Sequence, residues 1–128
     1  MASIAINGLG RIGRAALKIL KQAAGPEVVA VNDLVPPDNL AYLLRYDTVY
    51  GRWHTTVTAD SDALIVGGRK VPALAMRDPA GLPWKTLDVD LVLVMSWYDN
   101  EWGFTRQMIR EAFTALGLPP PDLSQVRP

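Results

Sequence analysis

Residues 3–20 read SIAINGLGRIGRAALKIL. Apolar residues run to Ile6, glycines follow at positions 8, 10 and 13, and from Arg11 the pattern changes. Ile12, Ala15, Ala16, Ile19, Leu20 and Ala23 recur at steps of three and four, which lines them along one helix face. The stretch therefore predicts a strand over 2–7, a tight glycine turn, and a helix from Arg11 to about Ala24 that Gly25-Pro26 stops. Val28-Val29-Ala30-Val31 is a second strand, ending in Asn32-Asp33. Unbroken β-branched runs suit strands covered on both faces, as in a parallel sheet. Strand, helix and strand in such close succession make a βαβ unit with a right-handed crossover.

The loop GLGRIG matches the spacing G-x-G-x-x-G. In that pattern Gly8 makes the turn, Gly10 lets the main chain approach a pyrophosphate, and Gly13 lets the helix pack closely on the strand. The amides of Arg11 and Ile12 then face phosphate oxygens from a helix N-terminus, where the helix dipole favours negative charge. Asp33 lies 20 residues beyond Gly13, at the tip of the next strand. A dinucleotide fold places there the carboxylate that accepts hydrogen bonds from the adenosine ribose, and such a carboxylate repels a 2′-phosphate. The residues thus point to NAD rather than NADP. Each element also has a purely structural use: a glycine-rich turn for the loop, an Asx-turn or cap before Pro36 for Asp33.

Downstream, Pro36-Pro37-Asp38 opens a short helix with Asp38 as N-cap and Leu40, Leu43 and Leu44 on one side. Residues 53–76 read as short antiparallel strands, TTVT, ALIV and KVPALAM, with a hairpin at Gly67-Gly68, an insertion beside the main sheet. VDLVLVMSW, 89–97, is a further strand. A last helix starts near Glu101, carries Met108, Ile109, Ala112, Phe113 and Leu116 along one stripe, and ends with Gly117 at C′. The expected fold is α/β: a Rossmann-like parallel sheet, partially doubly wound, with a small antiparallel insertion and a C-terminal helix. The dinucleotide domain occupies 1–118, formed by 1–94 joined to 95–118, and 119–128 is an extended or disordered tail.

Thirteen basic residues balance thirteen acidic ones, which gives no pull toward nucleic acid or an anionic membrane. No apolar run is long enough to span a bilayer and no signal-peptide core is present, so a cytoplasmic location is expected. Cysteine is absent and His54 is the only histidine. A thiol nucleophile and thiolate metal sites are thereby excluded, and Ser/His/Asp catalysis or a histidine-based metal site has a single imidazole to rest on.

INGLGRIGR, followed by AVNDL, RDP and finally SWYDNEWGF, resembles phosphorylating glyceraldehyde-3-phosphate dehydrogenase of bacterial type, as do NLAYLLRYDTVYGRW and PWKTLDVDLV. The resemblance implies an NAD site whose pyrophosphate is held by the amides of Arg11 and Ile12. It further implies a ribose carboxylate at Asp33 with Asn32 beside it, Arg77 near the adenine, and Asn100 on the nicotinamide carboxamide. A salt bridge to Asp78 is the structural alternative for Arg77, and helix capping is the alternative for Asn100. Trp97, Tyr98, Trp102 and Phe104 read as packing, and Trp53 and Trp84 either as cover for the sheet or as surfaces that further parts of a family member would bury.

One departure is large. In that family the segment like VDLV runs on into further strands and a catalytic domain before SWYDNE returns, whereas here it passes directly into LVMSWYDNEWGF. The resemblance then implies that the reactive cysteine, the catalytic histidine and the phosphate-binding residues are missing. The leading reading is a truncated domain, engineered or natural, that binds NAD or an adenine nucleotide without catalysis. The other readings are part of an active dehydrogenase completed by another chain, and an interaction scaffold that binds nothing. Uncovered apolar surface favours homo-oligomers, which sedimentation would reveal and a monodisperse monomer would refute.

Overall fold

Ser3–Asn7 forms β1, and Ile4, Ala5 and Ile6 at its centre are wholly buried. Successive side chains on a strand point to opposite faces, so consecutive buried residues mean that both faces are covered. A computed structural model, which describes residues 1–94 and 101–126, shows what covers them. The helix α1 spans Arg11–Gln22, and the strand β2, Glu27–Asn32, returns parallel to β1 with Asn7 opposite Asn32. Gly25, at φ +135°, allows the chain to leave α1 where a side chain could not fit: a Cβ there would lie 2.8 Å from the Phe113 ring.

The helix α2 spans Pro37–Arg45 and corrects two expectations. Pro36 occupies the cap and Pro37 the first helical position, where a missing N–H leaves no bond unmade. Asp38 is therefore inside the first turn and accepts from the Asn39 N–H at 2.9 Å. Leu40, Ala41 and Leu44 make the buried stripe, and Leu43 turns outward because it lies on the far side of Leu40 from Ala41. A small antiparallel ribbon follows, β3 (Tyr46–Asp47) and β4 (Gly51–Arg52). Asp47 closes its turn by accepting from the N–H groups of Val49 (2.8 Å) and Tyr50 (3.0 Å).

The antiparallel insertion comprises β5 (Val57–Ala59), β6 (Ala63–Val66) and β7 (Arg69–Leu74). Its hairpin has positive φ at both Gly67 (57°) and Gly68 (79°), the condition for a type I′ turn whose twist suits the flanking strands. The insertion is continuous with the main sheet: the end of β7 pairs parallel with β2, Val31 opposite Ala73 and Asn32 opposite Leu74. After a 3₁₀ turn at Pro79–Gly81, β8 (Leu91–Val94) runs parallel to β1 on its other side. The strand order is β5-β6-β7-β2-β1-β8. Of the strand expected over 89–97, residues 95–97 lie outside the described residues.

Ser3 anchors the start of β8: its N–H donates to the Asp90 carboxylate at 2.8 Å, and the Asp90 N–H returns a bond to the Ser3 carbonyl at 2.9 Å. The helix α3 spans Glu101–Ala115 and packs Ile109, Ala112 and Phe113 into the core. It ends as expected at Gly117 (φ 69°), with the Gly117 N–H on Thr114 and the Leu118 N–H on Phe113, the paired bonds of a Schellman motif. The segment beyond departs from the loose tail expected of it. Leu123 and Val126 are buried, and Arg106 Nη2 donates to the Leu123 carbonyl at 2.6 Å.

Trp53 is buried, and Lys18 of α1 lies with it in the interior, Nζ 5.7 Å from the ring centroid. Burial lowers the Lys18 pKa below its ordinary 10.5; Asp47 opposes the shift and Arg14 adds to it. Because the unfolded chain holds that proton more tightly, the charged ammonium penalises folding at neutral pH, and the penalty fades as pH climbs toward 10.5. Lys18→Met should raise the unfolding temperature by a few degrees at pH 7 and lose that advantage near pH 11. A thermal melt across that range checks it.

Candidate functional site

Three strands of the parallel sheet, β1, β2 and β7, end side by side, and the sequence places its polar and glycine residues just beyond those ends. In open α/β sheets this crevice outside the carboxyl ends receives ligands. Gly8 turns the chain out of β1 with φ +100°, and its N–H donates to the Asn32 carbonyl at 2.8 Å. Gly13 faces back onto that turn. A Cβ on Gly13 would sit 2.0 Å from the Gly8 carbonyl oxygen, so only glycine allows α1 to start this close to β1.

Gly10 has neither constraint. Its φ of −69° suits any residue, and a Cβ there would meet no protein atom within 4 Å. It occupies the N-cap of α1 without a side-chain cap, and no acidic residue follows in the first turn. The open space and the exposed helix start are what an approaching anion requires. Arg11, whose side chain is exposed, and Ile12, whose side chain is buried, contribute their amides to this first turn.

Asp33 ties the loop to the tip of β2. Its Oδ2 accepts from the Leu9 N–H at 2.7 Å and its Oδ1 from the Val35 N–H at 2.9 Å, while its own N–H donates to the Leu74 carbonyl at 3.0 Å. The carboxylate is half-buried, within reach of both the protein and a ligand outside. Asn32 is buried and its amide is engaged within the protein, with Asn7 and Met76. Arg77 follows Met76 at the surface, beside the same strand ends. Among the described residues no ion pair joins it to Asp78, whose carboxylate instead caps the 3₁₀ turn by accepting from the Ala80 N–H at 3.0 Å.

The structure thus brings together Gly8, Gly10, Arg11, Ile12, Gly13, Asn32, Asp33 and Arg77; Asn100, with Trp97 and Tyr98, lies outside the described residues. Asn7, Leu9 and Met76 belong to the same network and had not been singled out from sequence. Only Asn7 had a local signal, a polar residue ending an apolar strand directly before the glycine turn. His54 is exposed in the connection to β5, away from these residues in sequence. Trp102 stacks at a tilt on Tyr50, ring centroids 5.6 Å apart, which fits a packing role. A shallow concavity lined by Leu17, Lys21, Glu27, Val28, Val66 and Arg69 lies toward the opposite end of α1 from the glycine loop.

Comparison with known proteins decides the family. Residues 2–96 match the family model described as glyceraldehyde 3-phosphate dehydrogenase, NAD binding domain. The chain belongs to this family. It is 50% identical over 91 residues to glyceraldehyde-3-phosphate dehydrogenase from Chlamydia pneumoniae, covering 70% of this chain and 27% of that protein. Identity to the same-named protein from Kitasatospora aureofaciens is 51% over 94 residues, 73% of this chain and 28% of the other. For Clostridium acetobutylicum it is 41% over 117 residues, 91% of this chain and 34% of the relative. The chain therefore spans about a quarter to a third of the length of these glyceraldehyde-3-phosphate dehydrogenases. It carries the family's NAD-binding domain, and the cradle around Gly8, Gly10 and Gly13 fits that cofactor. Among the described residues no helix is long and apolar enough to cross a membrane.

Proposed function

We propose that this chain binds NAD chiefly through its adenosine and pyrophosphate moieties and does not itself oxidise glyceraldehyde 3-phosphate. The amides of Arg11 and Ile12, behind Gly8, Gly10 and Gly13, hold the pyrophosphate. Asp33 accepts from the ribose hydroxyls, Arg77 lies at the adenine, and Asn100 serves the nicotinamide carboxamide. NAD, once bound, supplies a hydride acceptor; the chain's own residues bind and orient it. The chain contains no cysteine, so it has no thiolate with which to attack an aldehyde. One observation carries the reading: the protein itself gives no reason for glycine at position 10, whereas a diphosphate lying against the main chain does.

Calorimetry with NAD, ADP and nicotinamide mononucleotide tests it. NAD and ADP should bind with similar affinity, Kd about 10 µM to 1 mM, and the mononucleotide weakly. Gly10→Ala, whose methyl group meets open space in the protein, should leave the melting temperature unchanged and weaken ADP by about tenfold. The same sample given glyceraldehyde 3-phosphate and NAD should show no absorbance change at the NADH band. Mononucleotide binding without ADP binding would overturn the reading, as would turnover by the chain alone.

A further inference from the structure

We infer that Asn32 is a positioning residue for the adenine end of the site, acting through the main chain of Met76 on Arg77. The inference rests on the nucleotide reading above. The ladder between β2 and β7 ends at the pair Asn32–Leu74, and the Asp33 N–H closes it with a bond to the Leu74 carbonyl. Beyond Leu74 the main chain of Ala75, Met76 and Arg77 has left the strand.

The Asn32 side chain continues the pairing past that point. Its Nδ2 donates to the Met76 carbonyl at 2.9 Å, and its Oδ1 accepts from the Met76 N–H at 2.9 Å. One side-chain amide thus imitates the two bonds that a neighbouring strand would make to a single residue. The remaining Nδ2 hydrogen donates to Asn7 Oδ1 at 2.8 Å, so the same amide ties the exits of β1, β2 and β7 to one another. The Met76 N–H needs an acceptor and its carbonyl a donor, which fixes the amide in this orientation.

With 5% of its surface exposed and both amide atoms engaged, Asn32 is poorly placed to meet a nucleotide directly. What it controls is the starting point of the next residue. Arg77 is exposed, and a long cation whose Cα moves by an ångström presents its guanidinium elsewhere. The Asn32 amide thereby converts the register of a buried sheet into the placement of one surface cation.

A double-mutant cycle read with two probes, ADP and inorganic pyrophosphate, tests this. Asn32→Ala and Arg77→Ala should each weaken ADP by about five- to tenfold, and the double variant should be no weaker than the weaker single one. Pyrophosphate, which lacks the adenosine, should bind all four proteins alike. Additive losses for ADP would overturn the inference, and so would an equal loss of pyrophosphate in Asn32→Ala, the mark of general disruption. Should Asn32→Ala fail to fold, Asn32→Asp, which keeps the acceptor for the Met76 N–H, takes its place in the cycle with the same non-additivity expected. A wild-type chain that binds neither probe would overturn the nucleotide reading, and this inference with it. ADP binding with an additive cycle would overturn the inference alone.

Discussion

Gly13→Ala should lower the unfolding temperature by about 10 °C and abolish measurable ADP binding. On helix propensity alone the change favours the variant, since alanine stabilises a helix interior by about 1 kcal/mol relative to glycine. The opposing effect is steric and larger. The new methyl carbon would lie 2.0 Å from the Gly8 carbonyl oxygen and 3.0 Å from its carbon, both main-chain atoms that cannot rotate away. Relief requires α1 to lift from β1, which disturbs the packing of Ile12, Ala16 and Leu17 beneath it. Forced overpacking costs about 1–3 kcal/mol, and a clash with main chain belongs at the top of that range. Lifting the helix also displaces Gly8 from Asn32 and spoils the phosphate cradle. Thermal melts and calorimetry check both effects, and an unchanged melt would show that the loop is looser than the geometry states.

Asp33→Ala should lose both stability and affinity. The Leu9 N–H would be left without its acceptor in a residue that is 1% exposed, at a cost of about 1–3 kcal/mol. The Val35 N–H also loses its partner, though near the surface where water replaces it. On the ligand side the ribose hydroxyls lose a charged acceptor, so ADP should weaken by tenfold or more, on the scale of about 1.5–3 kcal/mol for a hydrogen bond to a charged group. Asp33→Asn separates the two roles. It retains an acceptor for Leu9 and should recover much of the melting temperature. It removes the charge that repels a 2′-phosphate, so the preference for NAD over NADP should narrow. Titrations of both dinucleotides against the two variants check this, and an ADP titration unaltered in Asp33→Ala would refute a ribose contact.

Much of this site was legible in the sequence because it is built from local requirements. Gly8 must take positive φ, Gly13 must lack a side chain, and Gly67-Gly68 must both turn left-handed, and each demand is met by the residue at that position. The same holds for Gly117, which ends α3 as its place after the apolar stripe predicts. What depended on distant partners was not legible. KVPALAM reads as the second strand of a hairpin, and so it is, but nothing within it states that Ala73 and Leu74 also pair with β2. The part played by Asn32 follows from that hidden pairing, since its amide reaches Met76, 44 residues away in sequence. Asp38 and Leu43 differ for a simpler reason: the second of two successive prolines takes the first helical position, which puts the cap at Pro36, and Leu43 faces away from the stripe that Leu40, Ala41 and Leu44 form.

The two borders of the sheet are unequal. On one side it finishes with β5, three residues long and carrying exposed Thr58, a short polar margin that discourages further pairing. On the other it finishes with Leu91–Val94, which among the described residues has a partner only in β1, and whose Val94 is 67% exposed. Among the described residues the sheet thus has one margin that is short and polar and another that is longer and apolar.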